Sequence, residues 1–364
     1  MENYKILTIA PSGAGKTVLL GSIFKQLSIQ GKYGFFLKVE DGKQRSELTN
    51  IYAEIVTGEK WPRGTTGDVK EWVFTCCVKT HNLSMYPVCQ FTYIDYPGGL
   101  ITNPQDNDFD FAKAVINANA VLAILDGTQL LALMENKDVS RWLETELRPL
   151  TQIIQECGRI PVHFIISKWD VIHNKYDLSQ VRKRLLNVSQ EFKDVVDARK
   201  EVQPMRLIPI SSIGMEFATL ESDGRSMKKI PNRIPQPYQL ELPITYAMTD
   251  TLEEELKEVS NKLNQGTGSD KNQILTFLKQ GFPGVNKGIF IQPINWLGFY
   301  INMVSSPLIS SPLKELFMII KKGDYKVDLN QVKDQETALQ HTIKCFKEIQ
   351  TKFIKEFPAS DLHE

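Results

Sequence analysis

Short apolar runs alternate with segments of helical period over the first 214 residues, which predicts a mostly parallel sheet covered by helices on both faces. Tyr4–Ala10 is an apolar run ending in a glycine-rich turn. Thr17–Ile29 then repeats apolar residues at helical spacing through Leu19, Leu20, Ile23, Phe24 and Leu27, with Gly31 as a stop. Trp72–Thr80 and Tyr86–Asp95 are β-branched and aromatic runs with a turn at His81–Ser84 between them. That spacing predicts a hairpin, and so one antiparallel strand in an otherwise parallel sheet. Ala120–Asp126 has the composition of a buried strand, and Asp138–Cys157 that of a helix kinked by Pro149 and closed by Gly158. Pro161–Ser167 is the next strand. Leu178–Ala198 reads as one helix that Asp177 caps, with Gln180 at the third helical position. Arg206–Ile210 completes a sheet of about six strands.

Between Gly214 and Pro243 the pattern dissolves into Pro, Lys, Ser and Gln, as in a long loop or a small hairpin insertion. Ile244–Leu263 reads as the last helix of the α/β domain, and Asn264–Asp270 as a turn or linker. Beyond it the pattern is helical, clearest in Gln331–Lys355, where Leu339, Ile343, Phe346, Ile349 and Phe353 make one stripe. The expected organisation is an α/β domain over residues 1–265, with its insertion at about 214–243, and a helical C-terminal extension over 266–364.

Composition narrows this little. A chain of 364 residues exceeds the usual size of one domain, and 42% hydrophobic with 24% charged residues is ordinary for a soluble protein. Lys and Arg (43) balance Asp and Glu (43), leaving no global field to attract nucleic acid or an anionic membrane. Lys228, Lys229 and Arg233 stand beside Pro231 and Pro235 and read as a solvated loop. The five cysteines form no C-x-x-C pair, and several lie in strand-like runs, so a reducing, cytoplasmic compartment is expected. A strand beginning at Tyr4 leaves no room for a signal peptide. Gly288–Leu313 carries no charge, but Gln292, Asn295, Asn302, serines and prolines interrupt it, so a packed helix is expected rather than a membrane span.

The strongest chemical signal is Ala10-Pro11-Ser12-Gly13-Ala14-Gly15-Lys16-Thr17, directly after a strand and before a helix. It matches the Walker A pattern G-x-x-x-x-G-K-[ST], with Ala10 in place of the first glycine. Gly13 and Gly15 let the backbone N–H groups of Ser12, Gly13, Ala14 and Gly15 turn inward as an anion nest at a helix N-terminus. Lys16 can place its charge between β- and γ-phosphates, and Thr17 can offer its hydroxyl to Mg²⁺.

Three later pieces follow in order. In Asp95-Tyr96-Pro97-Gly98, Asp95 can hold Mg²⁺ through water and the Gly98 amide can donate to a γ-phosphate. Ser167-Lys168-Trp169-Asp170 resembles the [NT]-K-x-D guanine motif: Asp170 can accept N1–H and N2–H of guanine, and the Lys168 stem can lie along the ring. Ser167 replaces the usual Asn or Thr. Ile210-Ser211-Ser212-Ile213-Gly214 ends a strand where GTPases carry an S-A-K-like turn, so Ser211 and Ser212 are candidates for the base.

Trp61-Pro62-Arg63-Gly64-Thr65-Thr66-Gly67 resembles the T-x-G of Arf-type and heterotrimeric G-protein α-subunits. The resemblance implies that Thr65, or alternatively Thr66, closes onto Mg²⁺. Arg63 stands near where α-subunits keep a built-in arginine finger; the other reading is a solvated loop arginine.

The ordered set resembles translation-factor-class (TRAFAC) P-loop GTPases over about residues 4–263. Within that class, S-G-A-G-K-T-V-L-L-G-S with D-Y-P-G is similar to prokaryotic conflict-system GTPases, the double-GTPase and GTPase-associated-system groups. The resemblance implies a G domain, Mg²⁺ with GTP or GDP, a molecular switch, and a bacterial defence setting. Only one G domain is present, so a partner protein or second subunit is expected to meet the switch regions and the extension. Two departures bear on catalysis. Gly99 stands where many GTPases place a water-orienting Gln or His, and Gly13 where potassium-activated ones carry Asn. Slow or partner-completed hydrolysis follows. An ATP-using P-loop enzyme and a GTP-binding scaffold without turnover are the alternatives.

Overall fold

Each central strand sends successive side chains to opposite sides, so a strand apolar at every position needs two covered faces. Ile6 faces one buried cluster and Leu7 the other; Leu122 and Ile124 follow the first, Val121, Ala123 and Leu125 the second. The computed structural model describes residues 3–65, 69–99, 114–201, 204–265 and 328–364. Its strands are β1 (Asn3–Ile9), β2 (Phe36–Lys38), β3 (Lys70–Lys79), β4 (Met85–Asp95), β5 (Ala120–Asp126), β6 (Val162–Ser167) and β7 (Arg206–Pro209). They form a 7-stranded sheet in the order β2-β3-β4-β1-β5-β6-β7.

The expected hairpin is β3–β4, and β3 alone runs against the rest. The sheet has one strand more than about six. Three residues of β2 are too few to show a period, and pairing with β3 makes them a strand.

One face is covered by α1 (Lys16–Gln26) and α2 (Gly42–Thr57), the other by α3 (Gly127–Met134), α4 (Arg148–Glu156), α5 (Leu178–Val188) and α6 (Gln190–Arg199). Two expected helices differ in detail. The one spanning Asp138–Cys157 contains a π turn at Leu143–Leu147, directly before Pro149. The wider turn makes room where the proline ring would meet the carbonyl one turn earlier. The one spanning Leu178–Ala198 breaks at Ser189, whose hydroxyl accepts the Phe192 amide at 3.2 Å and so caps α6. Asp177 and Gln180 form the expected capping box.

The 214–243 insertion contains a second, two-stranded sheet, β8 (Ala218–Leu220) with β9 (Met227–Lys229). Then come α7 (Glu241–Gln265) and, in the C-terminal region, α8 (Gln335–Glu356). The predicted stripe of α8 is buried, but against the same face as α1 and not in a separate unit. Phe346 meets Phe35 edge-on at 5.0 Å, and Phe353 meets Tyr246 of α7 at 5.9 Å. A boundary at residue 265 therefore does not end the core. Leu362 donates its amide to Met205 at 2.9 Å, which covers the outer edge at β7. Gly288–Leu313 lies outside the described residues. Among the described residues no helix is long and apolar enough to cross a membrane.

Candidate functional site

At the C-terminal ends of β1, β4, β6 and β7 opens a cavity of about 420 Å³, a size suited to a small ligand. One end is the loop after β1. Gly13 and Gly15 have φ of +86° and +93°, in the left-handed region, and Gly15 is the N-cap of α1 without any side-chain cap. The first-turn amides of α1 are thereby left to a ligand, as an anion site requires. Ser12, Gly13, Gly15, Lys16 and Thr17 line the cavity, whereas Ala14 buries its methyl in the core.

Lys16 Nζ donates to the Ala10 carbonyl at 3.3 Å and stands 3.8 Å from Asp95 Oδ1. Burial lowers the Lys16 pKa although Asp95 opposes it, and burial raises that of Asp95 although Lys16 and Thr65 oppose it. Desolvation outweighs so loose a pair, and the site would be eased by a ligand carrying further charge. Gly98 backs directly onto the loop after β1: a Cβ there would lie 2.7 Å from both the Ala10 carbonyl and the Ser12 nitrogen. Only glycine fits. Gly99, the next residue, is exposed.

Thr65 donates its hydroxyl to Asp95 Oδ2 at 2.5 Å, so the segment Trp61–Thr65 is drawn over the cavity. Thr66 lies outside the described residues. Asp95 Oδ1 is buried with no hydrogen-bond partner, and Asp95 lines an adjoining cavity together with Thr17 and Thr65, which border both cavities. One buried carboxylate and two hydroxyls suit Mg²⁺, which takes few protein ligands and completes its shell with water and phosphate. Among the described residues no group of three or more His, Cys, Asp and Glu could hold a metal by itself. Arg63 does not line this cavity. It lines the adjoining cavity of about 610 Å³ against α2 and β3, which Thr17, Thr65 and Asp95 also line.

The far end is built by β6 and β7. Lys168 has φ +51° and donates from Nζ to the Gly13 carbonyl at 3.1 Å and to Asp126 Oδ2 at 2.7 Å, tying this end to the glycine-rich loop after β1. Ser167 donates to the Leu125 carbonyl at 3.2 Å, so the tie runs through Lys168 and not Ser167. Asp170 Oδ1 accepts the Ser211 hydroxyl at 2.6 Å, while Oδ2 is buried without a partner. Burial raises the Asp170 pKa, with Ser211 opposing. Ser212 lines the cavity and Ser211 stands behind Asp170. Gly214, at φ +83°, closes the turn where a Cβ would meet the Gln236 carbonyl at 2.1 Å.

Sequence reasoning missed two contributors. Asp126 ends β5, caps α3 through the Thr128 amide at 2.9 Å and holds Lys168; the Asp-Gly-Thr after an apolar strand was its signal. Arg225, Ser226 and Met227 line the cavity from the insertion, where no motif marked them. No family model matches the chain, and no curated protein matches it.

Proposed function

We propose that the chain binds a guanine nucleoside triphosphate with Mg²⁺ in this cavity and hydrolyses it slowly, as a nucleotide-dependent switch. The observation that carries the reading is the buried, unpartnered Oδ2 of Asp170, at the opposite end of the cavity from the phosphate loop. A carboxylate with one oxygen fixed by Ser211 and one open can accept the N1–H and N2–H pair of guanine, which adenine lacks. At the other end, amides at the N-terminus of α1 and the Lys16 ammonium would hold the phosphates. Thr17, Thr65 and Asp95, at the border with the adjoining cavity, would hold Mg²⁺, which when bound neutralises charge on the phosphate oxygens. Thr65 reports a γ-phosphate through its position on Asp95, and the Gly98 amide lies close enough to the loop to share that contact. The resemblance to conflict-system GTPases supports a switch that signals to a protein partner.

Gly99 has no side chain to orient water and Arg63 faces another cavity, so intrinsic turnover on the order of 10⁻⁴–10⁻² s⁻¹ follows. The same two observations favour a second reading, a GTP-binding scaffold that never turns over; single-turnover hydrolysis separates them. Calorimetric titration with GTP, ATP and xanthosine triphosphate tests the binding. GTP should exceed ATP by on the order of 10⁴-fold, Asp170→Ala should collapse the preference, and Asp170→Asn should move it toward xanthine. Lys16→Ala should abolish tight binding with the fold intact. Equal affinity of the parent for ATP and GTP would sink the guanine reading.

A further inference from the structure

We propose that Arg225 is a nucleotide-contacting residue: the β8–β9 hairpin carries it over the cavity, where its guanidinium pairs with oxygen atoms of the bound nucleotide. The proposal rests on the guanine-nucleotide reading of the cavity and adds a recognition element from outside every motif.

The hairpin is fixed at both ends. At its tip, Asp223 accepts the amides of Arg225 and Ser226, each at 2.8 Å, and the Ser226 hydroxyl at 2.5 Å, while Gly224 turns the chain at φ +69°. At its base the Trp61 indole donates to the Met227 carbonyl at 2.6 Å and meets Phe217 edge-on at 6.3 Å. The Lys229 ammonium binds the carbonyls of Glu54 and Gly58 at 2.7 Å and of Lys60 at 3.1 Å, and lies 4.8 Å from the Trp61 ring centre. The basic cluster read from the sequence as a solvated loop is, at Lys229, a structural tie. Phe217, Ala218, Ile213 and Ile55 form a small core of their own beneath it.

A hairpin so held presents its tip in one place. Arg225 lines the cavity beside Ser212 and Lys168. Among the described residues its guanidinium makes no hydrogen bond or ion pair; only its backbone amide is engaged. An arginine offers five donors and no acceptor, so its counterpart must be an acceptor. Glu146 acts on it electrostatically without a hydrogen bond or close ion pair, among the described residues no acceptor is within hydrogen-bond reach, and a nucleotide brings phosphate and ribose oxygens. The contrast with Arg63, which faces the other cavity, is the physical reason for preferring Arg225.

Arginine-directed dicarbonyl labelling, read by peptide mass, tests contact directly in the full chain with and without GDP. Arg225 should be protected by GDP and Arg63 should not. In parallel, Arg225→Ala should weaken GDP about tenfold, as loss of one charge-assisted hydrogen bond predicts, with Arg225→Lys intermediate and Arg63→Ala unchanged. The melting temperature without nucleotide should match the parent for each variant. If Arg225 labels equally with and without GDP, or Arg225→Ala binds GDP as the parent does, the proposal is wrong and the function reading survives. If the parent binds no guanine nucleotide, the function reading itself falls and takes the proposal with it.

Discussion

On the proposed guanine reading, Asp170 carries both selectivity and a liability. Burial raises its pKa, while the Ser211 hydroxyl partly restores the anion. Guanine donates two hydrogens, so it needs the carboxylate form; a protonated Asp170 offers a donor where an acceptor is required. Protonation sets in at higher pH than for an ordinary aspartate, so affinity should fall as the pH is lowered from 7 through this raised value. GDP affinity followed downward from pH 7 should therefore fall for the parent at higher pH than an ordinary aspartate would give. Residual GDP binding by Asp170→Asn, which has no carboxylate at that position, should lack that component. Matching pH profiles would show that some other group titrates.

The elements matter through the ties between them. Thr65 sits on Asp95 at the end of a segment whose start is held by Trp61 on Met227 and by Lys229 on the carboxyl end of α2. A cation at a helix C-terminus meets both the unpaired carbonyls and the negative end of the dipole. Lys229→Met keeps the stem and removes the charge, so the hairpin should loosen from the segment proposed to sense the γ-phosphate. GTP binding with Mg²⁺ should weaken about tenfold while GDP changes by less than about threefold, since only the triphosphate needs Thr65 in place. Trp61 is the natural probe, because its indole bond to Met227 should be lost with the tie and its fluorescence should change. Equal weakening of GTP and GDP would mean that Lys229 serves the cavity as a whole.

For the whole molecule the decisive contact is made by the last described helix. Tyr246 of α7 and Phe353 of α8 meet over the sheet, and the buried Gln350 amide donates to the Thr249 hydroxyl at 2.7 Å and the Thr245 carbonyl at 3.1 Å. Phe346 inserts against Phe35 next to β2. Removing that ring from a filled core should cost about 3–5 kcal/mol. Phe346→Ala should accordingly shift the urea midpoint strongly without altering guanine selectivity at Asp170. A chain cut after Gln265 should show no cooperative melt, because one sheet face loses its cover. A cooperative melt of the shortened chain would restore the boundary that the composition suggested.

What the sequence determined is everything encoded locally. The alternation of apolar runs and helical periods set the layered α/β class. Gly13 and Gly15 announced a backbone that only glycine adopts readily, and Asp177 with Gln180 a cap closed within four residues. The order of Lys16, Asp95, Lys168 and Asp170 along the chain was legible because each follows a strand at its C-terminal end, where parallel sheets gather their sites. What only the tertiary structure decided are relations between distant segments. Three residues at Phe36–Lys38 become a strand because β3 lies alongside; Thr65 borders two cavities and Arg63, two positions earlier, only one of them; and Arg225 reaches the site from an insertion with no periodic pattern. The return of α8 to the first face belongs with these. Its apolar stripe showed that a face would be buried, but a stripe does not name its counterpart, and any apolar surface of matching shape satisfies the hydrophobic effect.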